Sequence, residues 1–356
     1  MVSKVTVRVP INIALIKYWG KKNEKLIIPC NDSVSLAIDD LYAETTVYFT
    51  TDGQDSVSIN GKSTDLTAKP RFHNVFNEYR RTVNQPNIKI HVESRTNFTV
   101  AAGLASSAAG FAAIAFALGQ LGNLSQDQTV RLARLGSGSA CRSVLKGFVH
   151  WHAGTKVDTD EESTCDVIPS PEFWKTVRAV VFEQKNSEKD VPSTDGMQKT
   201  IETSSLFGHR VDKVVPQHVE DLKKAVAASD FEALGRVIIQ ESNQLHAVCL
   251  DTFPPILYLN DRSRALINFI CGYNNKIGRL AAAYTFDAGP NCCVFIQEKD
   301  VKPFLQAFAD KFEFDHALLP QSIGKLTTSN TEKQDLPLKN IFYSQVGGGP
   351  IVVSKQ

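Results

Sequence analysis

The sequence has no surplus of charge of either sign: across 356 residues, 39 Lys plus Arg face 38 Asp plus Glu, a net +1. That balance excludes a global field directed at nucleic acid or an anionic membrane, so any anionic ligand must be met by charges gathered locally. No C-x-x-C pair occurs among the seven cysteines. This argues against a structural zinc site, and the odd count suits reduced thiols in a cytoplasmic setting. The N-terminal stretch MVSKVTVRVPINIALIKYWGKK lacks a signal-peptide pattern and alternates like a strand, so it reads as part of the fold. Internal repeats are missing, as are low-complexity tracts beyond one loop of small residues.

That loop is the most informative stretch present. Val100 to Gly119, VAAGLASSAAGFAAIAFALG, carries no charge and is built from Ala, Gly and Ser rather than Leu and Ile. A membrane span is disfavoured because such residues insert weakly, two adjacent serines lie inside and no Lys or Arg cluster flanks it. Two readings remain, and they are compatible. The segment can be a buried helix whose small side chains allow close packing. It can also be a phosphate-binding loop followed by a helix that aims its positive end at an anion. It matches neither the P-loop pattern G-x-x-x-x-G-K-[ST] nor the dinucleotide fingerprint G-x-G-x-x-G, and it contains no G-x-S-x-G elbow.

With 42% hydrophobic and 22% charged residues the chain can bury a sizeable core and divide into two domains. Strands are expected over 5–9, 44–51 and 88–93, with helices over 70–81, 107–119 and 126–135. The acidic, proline-punctuated stretch Asp158 to Pro171 marks either a boundary or a long surface loop. Beyond it, strands are expected over 177–182, 280–286 and 292–296, and helices over 216–228, 231–241 and 262–273. The pattern is α+β.

Three further clusters carry chemistry. LGSGSACRS, Leu135 to Ser143, combines flexible glycines, serine donors and Arg142, which can grip a phosphate bidentately; the same composition also suits a helix end and loop. Lys17 interrupts an apolar, strand-like run, so it either snorkels to solvent or faces a pocket. Asp287, in YTFDAGPN, either starts a turn or presents a carboxylate that can orient or deprotonate a hydroxyl. His150 and His152 share one face of FVHWHAG in the manner of metal ligands, but the sequence shows no third ligand and no metal site is assigned.

Together these segments resemble the GHMP kinase superfamily, with Thr99 where its loop signature often has Pro. KYWGK (17–21), AAGLASSAAGFAA (101–113), GSGSACRS (136–143), CLDTFPPI (249–256), YTFDAGPN (284–291) and QVGGGP (345–350) resemble, in order, the mevalonate diphosphate decarboxylase family within it. The resemblance implies a two-domain GHMP kinase-like fold, with an N-terminal α+β domain over 1–174, a ferredoxin-like α+β domain over 175–356, and the site in the cleft between them. It implies ATP-dependent decarboxylation of mevalonate 5-diphosphate to isopentenyl diphosphate, a step of isoprenoid and sterol biosynthesis, with ATP as co-substrate and Mg2+. Asp287, Lys17 and Arg142 would be catalytic. Substrate would be held by Tyr18, Trp19, Gly20, Lys21, Arg71, Ser137, Gly138, Ser139, Ala140, Cys141, Arg142 and Thr194. ATP phosphates would meet Ala101, Ala102, Gly103, Leu104, Ala105, Ser106 and Ser107. A homodimer in the cytoplasm is also implied. A kinase that stops after phosphoryl transfer and a ligand sensor that turns nothing over are the competing readings, and Asp310 to Lys339 fits the motif pattern least.

Overall fold

The computed structural model describes residues 4–98, 106–185, 190–327 and 332–356. Among these, two main sheets form. The first has eight strands, with Ile351–Lys355, Lys4–Ile16, Ser33–Thr50, Lys89–Thr96, Ser56–Ile59 and Lys62–Ser63 in that order; Phe148–Trp151 joins the start of Ser33–Thr50 and carries Cys165–Ile168 outside it. The stretch expected to be a boundary or loop therefore contains an edge strand, because Cys165 and Ile168 have apolar surface to bury against this sheet. The second sheet is antiparallel, in the order Ala282–Phe286, Cys292–Gln297, Val177–Gln184, Leu338–Gln345. Numbered along the chain that order is two, three, one, four, with helices after the first and third strands, as in ferredoxin-like folds.

Val177–Gln184 explains its own composition. Its side chains alternate between faces. Val177, Ala179 and Val181 enter the core shared with the first sheet, whereas Val180 and Phe182 enter a second core under the helices Asp261–Ile277 and Glu298–Lys311. Both faces are covered, so its middle, Ala179 to Phe182, reads as a continuous apolar run.

The charge-free segment is a helix over Ser106–Gly122. Ala108, Ala109, Ala112, Ala113, Ala115 and Ala117 are each at most 1% exposed, so the close-packing reading holds along its length. It rests on the two longest strands and on the helix Gln126–Gly136, whose Ser125 caps it through a reciprocal bond pair with Gln128. No helix among the described residues is long and apolar enough to cross a membrane.

Four elements depart from expectation in instructive ways. The first strand runs on to Ile16 and the second begins at Ser33, since their apolar residues are buried well past the alternating segments. The helix Phe231–Asp251 continues beyond Glu241 because Leu245, Val248 and Cys249 pack with Trp19, Met197 and Phe207 in a third cluster. The helix Glu298–Lys311 contains Pro303; burial of Val301, Phe304, Leu305 and Phe308 outweighs an interior proline's cost of about 3 kcal/mol.

Candidate active site

The first strand ends at Ile16, and Lys17 follows with its side chain 1% exposed. Lys17 does not snorkel. Its Nζ donates to Asp287 Oδ1 at 2.7 Å. Asp287 stands just past the strand Ala282–Phe286, and the turn behind it is locked from the neighbouring elements. Phe286 N donates to Ser242 Oγ, the Pro290 carbonyl accepts from Gln184 Nε2 and Ser263 Oγ, and Asn291 Oδ1 accepts from Gln184 N. Asp287 is thus both a turn residue and a cleft carboxylate, with one oxygen held by Lys17 and a side chain 36% exposed.

The backbone of Lys17 is gripped as firmly as its ammonium. Its N–H donates to Glu241 Oε2 at 2.9 Å, and its carbonyl accepts from Asn31 Nδ2 and Arg210 Nη2, each at 3.0 Å. Glu241 and Arg210 are 0% exposed and paired at 2.9 Å, with His218 Nδ1 2.7 Å from the other carboxylate oxygen. Burial alone would raise the Glu241 carboxyl, but the Arg210 charge and the bonds from His218, Arg210 and Lys17 N–H outweigh it and pull it down to about 2. Next to this network lies His246. Burial first, and the nearby Lys17 charge second, push its imidazole down to about 4.

Lys17 and Asp287 stand in the wall of a cleft of about 610 Å³. Tyr18, Trp19 and Lys21 line it from the segment after the first strand, and Ser137, Gly138, Ser139 and Arg142 from the turn beyond Gln126–Gly136. Arg71 reaches it from the helix Pro70–Val83, Thr194 from the helix Ser193–Thr203 and Ser107 from the start of Ser106–Gly122. Gly20, Ala140 and Cys141 do not line it. Ala140 and Cys141 belong to the 3-10 turn Gly138–Ser143 and are fully buried. Gly20 sits at φ +87°, where a Cβ would approach Phe207 Cζ to 2.6 Å, so only glycine fits the bend that sends Trp19 inward. Ala101, Ala102, Gly103, Leu104 and Ala105 lie outside the described residues; Ser106 is the first residue of the helix.

Arg142 is 3% exposed and is aimed by its surroundings. Nη1 donates to Ser33 Oγ at 2.7 Å, Nη2 to Asn12 Oδ1 at 3.3 Å, and the guanidinium lies over the Trp151 ring, 5.7 Å from its centre. Its Nε and the nearby Tyr18 Oη are buried without a partner. Donors of this kind at a cleft wall suit an anionic ligand, since each would gain an acceptor on binding. Trp19, beneath, donates Nε1 to Thr200 Oγ1 at 3.0 Å.

Sequence reasoning missed Glu241, Arg210, Asn31 and Ser33, which hold the site from behind, and Asn12, Lys25, Ile27, Asn74 and Met197, which line it. Asn74 and Met197 follow Arg71 and Thr194 by three residues on their helices, a spacing that puts them on the same face. Ile27 sits at φ 52°, a conformation β-branched residues avoid and one no motif signals.

Comparison with known proteins decides the family. Residues 9–165 match the family described as diphosphomevalonate decarboxylase-like N-terminal domain, and residues 179–353 match mevalonate 5-diphosphate decarboxylase C-terminal domain. A diphosphomevalonate decarboxylase from Candida albicans is 42% identical, with 97% of this chain and 96% of that relative covered. The chain belongs to the diphosphomevalonate decarboxylase family. Among solved structures, mevalonate diphosphate decarboxylase from Trypanosoma brucei superposes with a TM-score of 0.89 at 34% identity, covering 99% of this chain and 98% of that one. Another, described as MDDEF in complex with MVAPP, AMPPCP and magnesium, gives 0.83 at 31% identity, covering 99% and 100%. The family's two-domain α+β fold is the one described above.

Proposed function

We propose that the chain catalyses ATP-dependent decarboxylation of mevalonate 5-diphosphate, yielding isopentenyl diphosphate, CO2, ADP and phosphate. The observation that carries the reading is the Lys17–Asp287 pair at 2.7 Å in the cleft wall, a carboxylate with one oxygen fixed and the other left for a substrate hydroxyl. A tertiary hydroxyl is a poor leaving group. Asp287 orients it and accepts its proton as the γ-phosphoryl group of ATP is transferred, a reaction in which positioning and charge stabilisation do most of the work. The phosphate then departs with the C–O electron pair, the carboxylate C–C pair becomes the new double bond, and CO2 leaves. Lys17 keeps Asp287 in place and neutralises local negative charge while two anionic substrates share one cleft.

Arg142 and Tyr18, with buried donors that lack acceptors, hold the diphosphate, together with the serines of Ser137–Ser139 and with Lys21, Arg71 and Thr194. Gly20, Ala140 and Cys141 shape this wall from behind. Ser107, at the positive end of a 17-residue helix, faces the ATP phosphates, with Ala101–Ser106 preceding it. Mg2+ bound with those phosphates would supply charge neutralisation, and the hydroxyl of Ser107 is a hard oxygen donor of the kind it accepts.

The domains divide near residue 174, into 1–174 and 175–356; the two family matches end and begin on either side of that point, and the last strand returns to the first sheet. The protein is a cytoplasmic homodimer. Seven free thiols support the compartment, and the exposed apolar side chains of Leu250, Phe253 and Leu257 support an interface. Sedimentation at two concentrations tests the dimer. For the reaction, purified protein is incubated with Mg2+-ATP and carboxyl-labelled mevalonate 5-diphosphate while ADP and CO2 are followed together. Equal yields are expected; ADP without CO2 would make the chain a kinase, and neither product would make it a sensor.

A further inference from the structure

The pair of histidines in FVHWHAG finds its missing partner in three dimensions. Phe148–Trp151 lies between Ser33–Thr50 and Cys165–Ile168, with His150 opposite Val34 on one side and Asp166 on the other. Asp32, just before Ser33, comes against the same face. His150 Nε2 is 2.8 Å and His152 Nδ1 3.8 Å from Asp32 Oδ2, and the ligand atoms of the three residues lie within 4.8 Å of one another. The other nitrogen of His152 meets a second carboxylate, with Nε2 3.0 Å from Asp166 Oδ2, whereas His150 Nδ1 lies 3.9 Å from Asp166 Oδ1, beyond hydrogen-bond reach. Asp32 is itself fixed, because Oδ1 accepts from Ala153 N at 2.7 Å and only Oδ2 is left to face the rings.

We propose that His150 Nε2, His152 Nδ1 and Asp32 Oδ2 form a binding site for one divalent transition metal of the zinc class, with Asp166 orienting the His152 imidazole from outside. Two imidazoles and one carboxylate are the donors such a metal prefers, whereas Mg2+ and Ca2+ take oxygens. Tetrahedral bonds of about 2.0–2.2 Å set donors roughly 3.3–3.6 Å apart, a spacing that falls between the 2.8 and 3.8 Å from Asp32 Oδ2 to the two nitrogens, so side-chain rotations complete the shell with water in the fourth place. A carboxylate on the far nitrogen of a ligating histidine fixes the tautomer and raises its basicity, and Asp166 stands in that position for His152. His150 is 3% exposed, while His152 and Asp166 are open enough to solvent for a metal to enter.

The site lies behind the cleft wall, and none of its ligands lines the cleft. Trp151, between the two histidines, points the opposite way and carries Arg142 over its ring. The neighbours of Asp32 also touch the active site: Asn31 bonds the Lys17 carbonyl and Ser33 accepts from Arg142. A metal at Asp32 would therefore staple the segment 31–33 to 150–153 and stiffen the support of both residues.

The test uses the full chain, stripped with a chelator and free of nucleotide, titrated with ZnCl2 against a chromophoric competitor. One equivalent is expected to bind, and the thermal midpoint should rise with it. Asp166→Asn should weaken binding about 10- to 100-fold, the usual loss for an outer partner of a ligating histidine. His152→Gln, at a partly exposed position, should abolish the stoichiometric equivalent, while in the chelator-stripped state, where neither chain holds the metal, its decarboxylation of mevalonate 5-diphosphate should run at the wild-type rate. X-ray absorption of the zinc form should show two imidazoles. Zinc binding that is absent in the wild-type chain, or equally tight in His152→Gln, would overturn the proposal, whatever reaction the cleft performs.

Discussion

At the inner end of the cleft Lys17 is 1% exposed, its ammonium bonded to Asp287 and its backbone clasped by Glu241, Arg210 and Asn31. At the outer end Arg71, Lys25 and Ser107 stand in solvent on the rims of separate helices and turns. The inner end is preorganised: its groups already make in the free protein the bonds that fix their positions, so little must be ordered when the hydroxyl arrives. The outer end supplies charge and helix polarity without fixed geometry, which suits phosphates that bring their own counterions. Substitutions at the two ends should therefore fail differently, the inner ones in rate and stability, the outer ones in affinity and salt dependence.

The largest effect should come from Asp287→Asn. The amide can still occupy the turn, so the fold and substrate binding should survive, while loss of the proton acceptor should lower kcat by ~10²–10⁴-fold, the span of general acid–base contributions. Near-native kcat would remove Asp287 from the chemistry and leave the inner end merely structural. Glu241→Gln comes next. It strands the Arg210 guanidinium, 0% exposed, without its counter-charge, and breaking one side of a buried pair costs about 3–5 kcal/mol. The denaturation midpoint should fall accordingly and kcat should fall with it, because Lys17 loses its anchor; an unchanged midpoint would mean that water already reaches the pair.

The same network gives the inner end a pH dependence. His246 is held down at about 4 by burial and by the Lys17 charge, against about 6.5 in an unfolded chain. Between those values the unfolded state binds the proton and the folded state does not, so stability is full above about 6.5 and is lost as pH falls toward 4. Denaturant melts across that window should show the loss, and His246→Gln should flatten it. Glu241, with its carboxyl depressed to about 2, adds a second loss below about 4.3, as pH falls toward 2. A slope that persists unchanged in His246→Gln would assign the titration to another group.

What could be read from the sequence follows the same division. Residues that line the cleft sit in short motifs, so Lys17, Arg142, Asp287 and the serines after Leu135 are visible as departures from ordinary strand and loop composition. Residues that hold them are not. Glu241 meets Lys17 across 224 positions of sequence and Arg142 meets Ser33 across 109, and no local pattern marks either as more than a polar side chain on an amphipathic element. The strands of the first half were visible where they alternate and invisible where both faces are buried or one strand continues through a bend. Glu298–Lys311 was hidden by Pro303, and Leu338–Gln345 by irregular burial along LKNIFYSQ. The third ligand beside His150 and His152 was hidden for the same reason as Glu241, since Asp32 joins them only through sheet pairing.

Arg142 and Arg71 test the gradient between the two ends. Arg142 is fixed by Ser33, Asn12 and Trp151, so Arg142→Ala should remove a charged hydrogen-bond donor worth about 1.5–3 kcal/mol and raise KM for the diphosphate substrate about tenfold or more. That increase should persist in high salt, because a buried group is poorly screened. Arg71 is exposed and unconstrained, so Arg71→Gln should raise KM by only a few-fold, in keeping with about 0.2–1 kcal/mol for an exposed charge contact. Here the difference from wild type should shrink as ionic strength rises past the point where the Debye length falls below about 8 Å. Measuring KM for both variants at low and high salt separates the cases. An Arg71 effect as large and as salt-resistant as that of Arg142 would mean that the outer end closes over the substrate into a buried geometry, and the contrast between the two ends would hold only for the free protein.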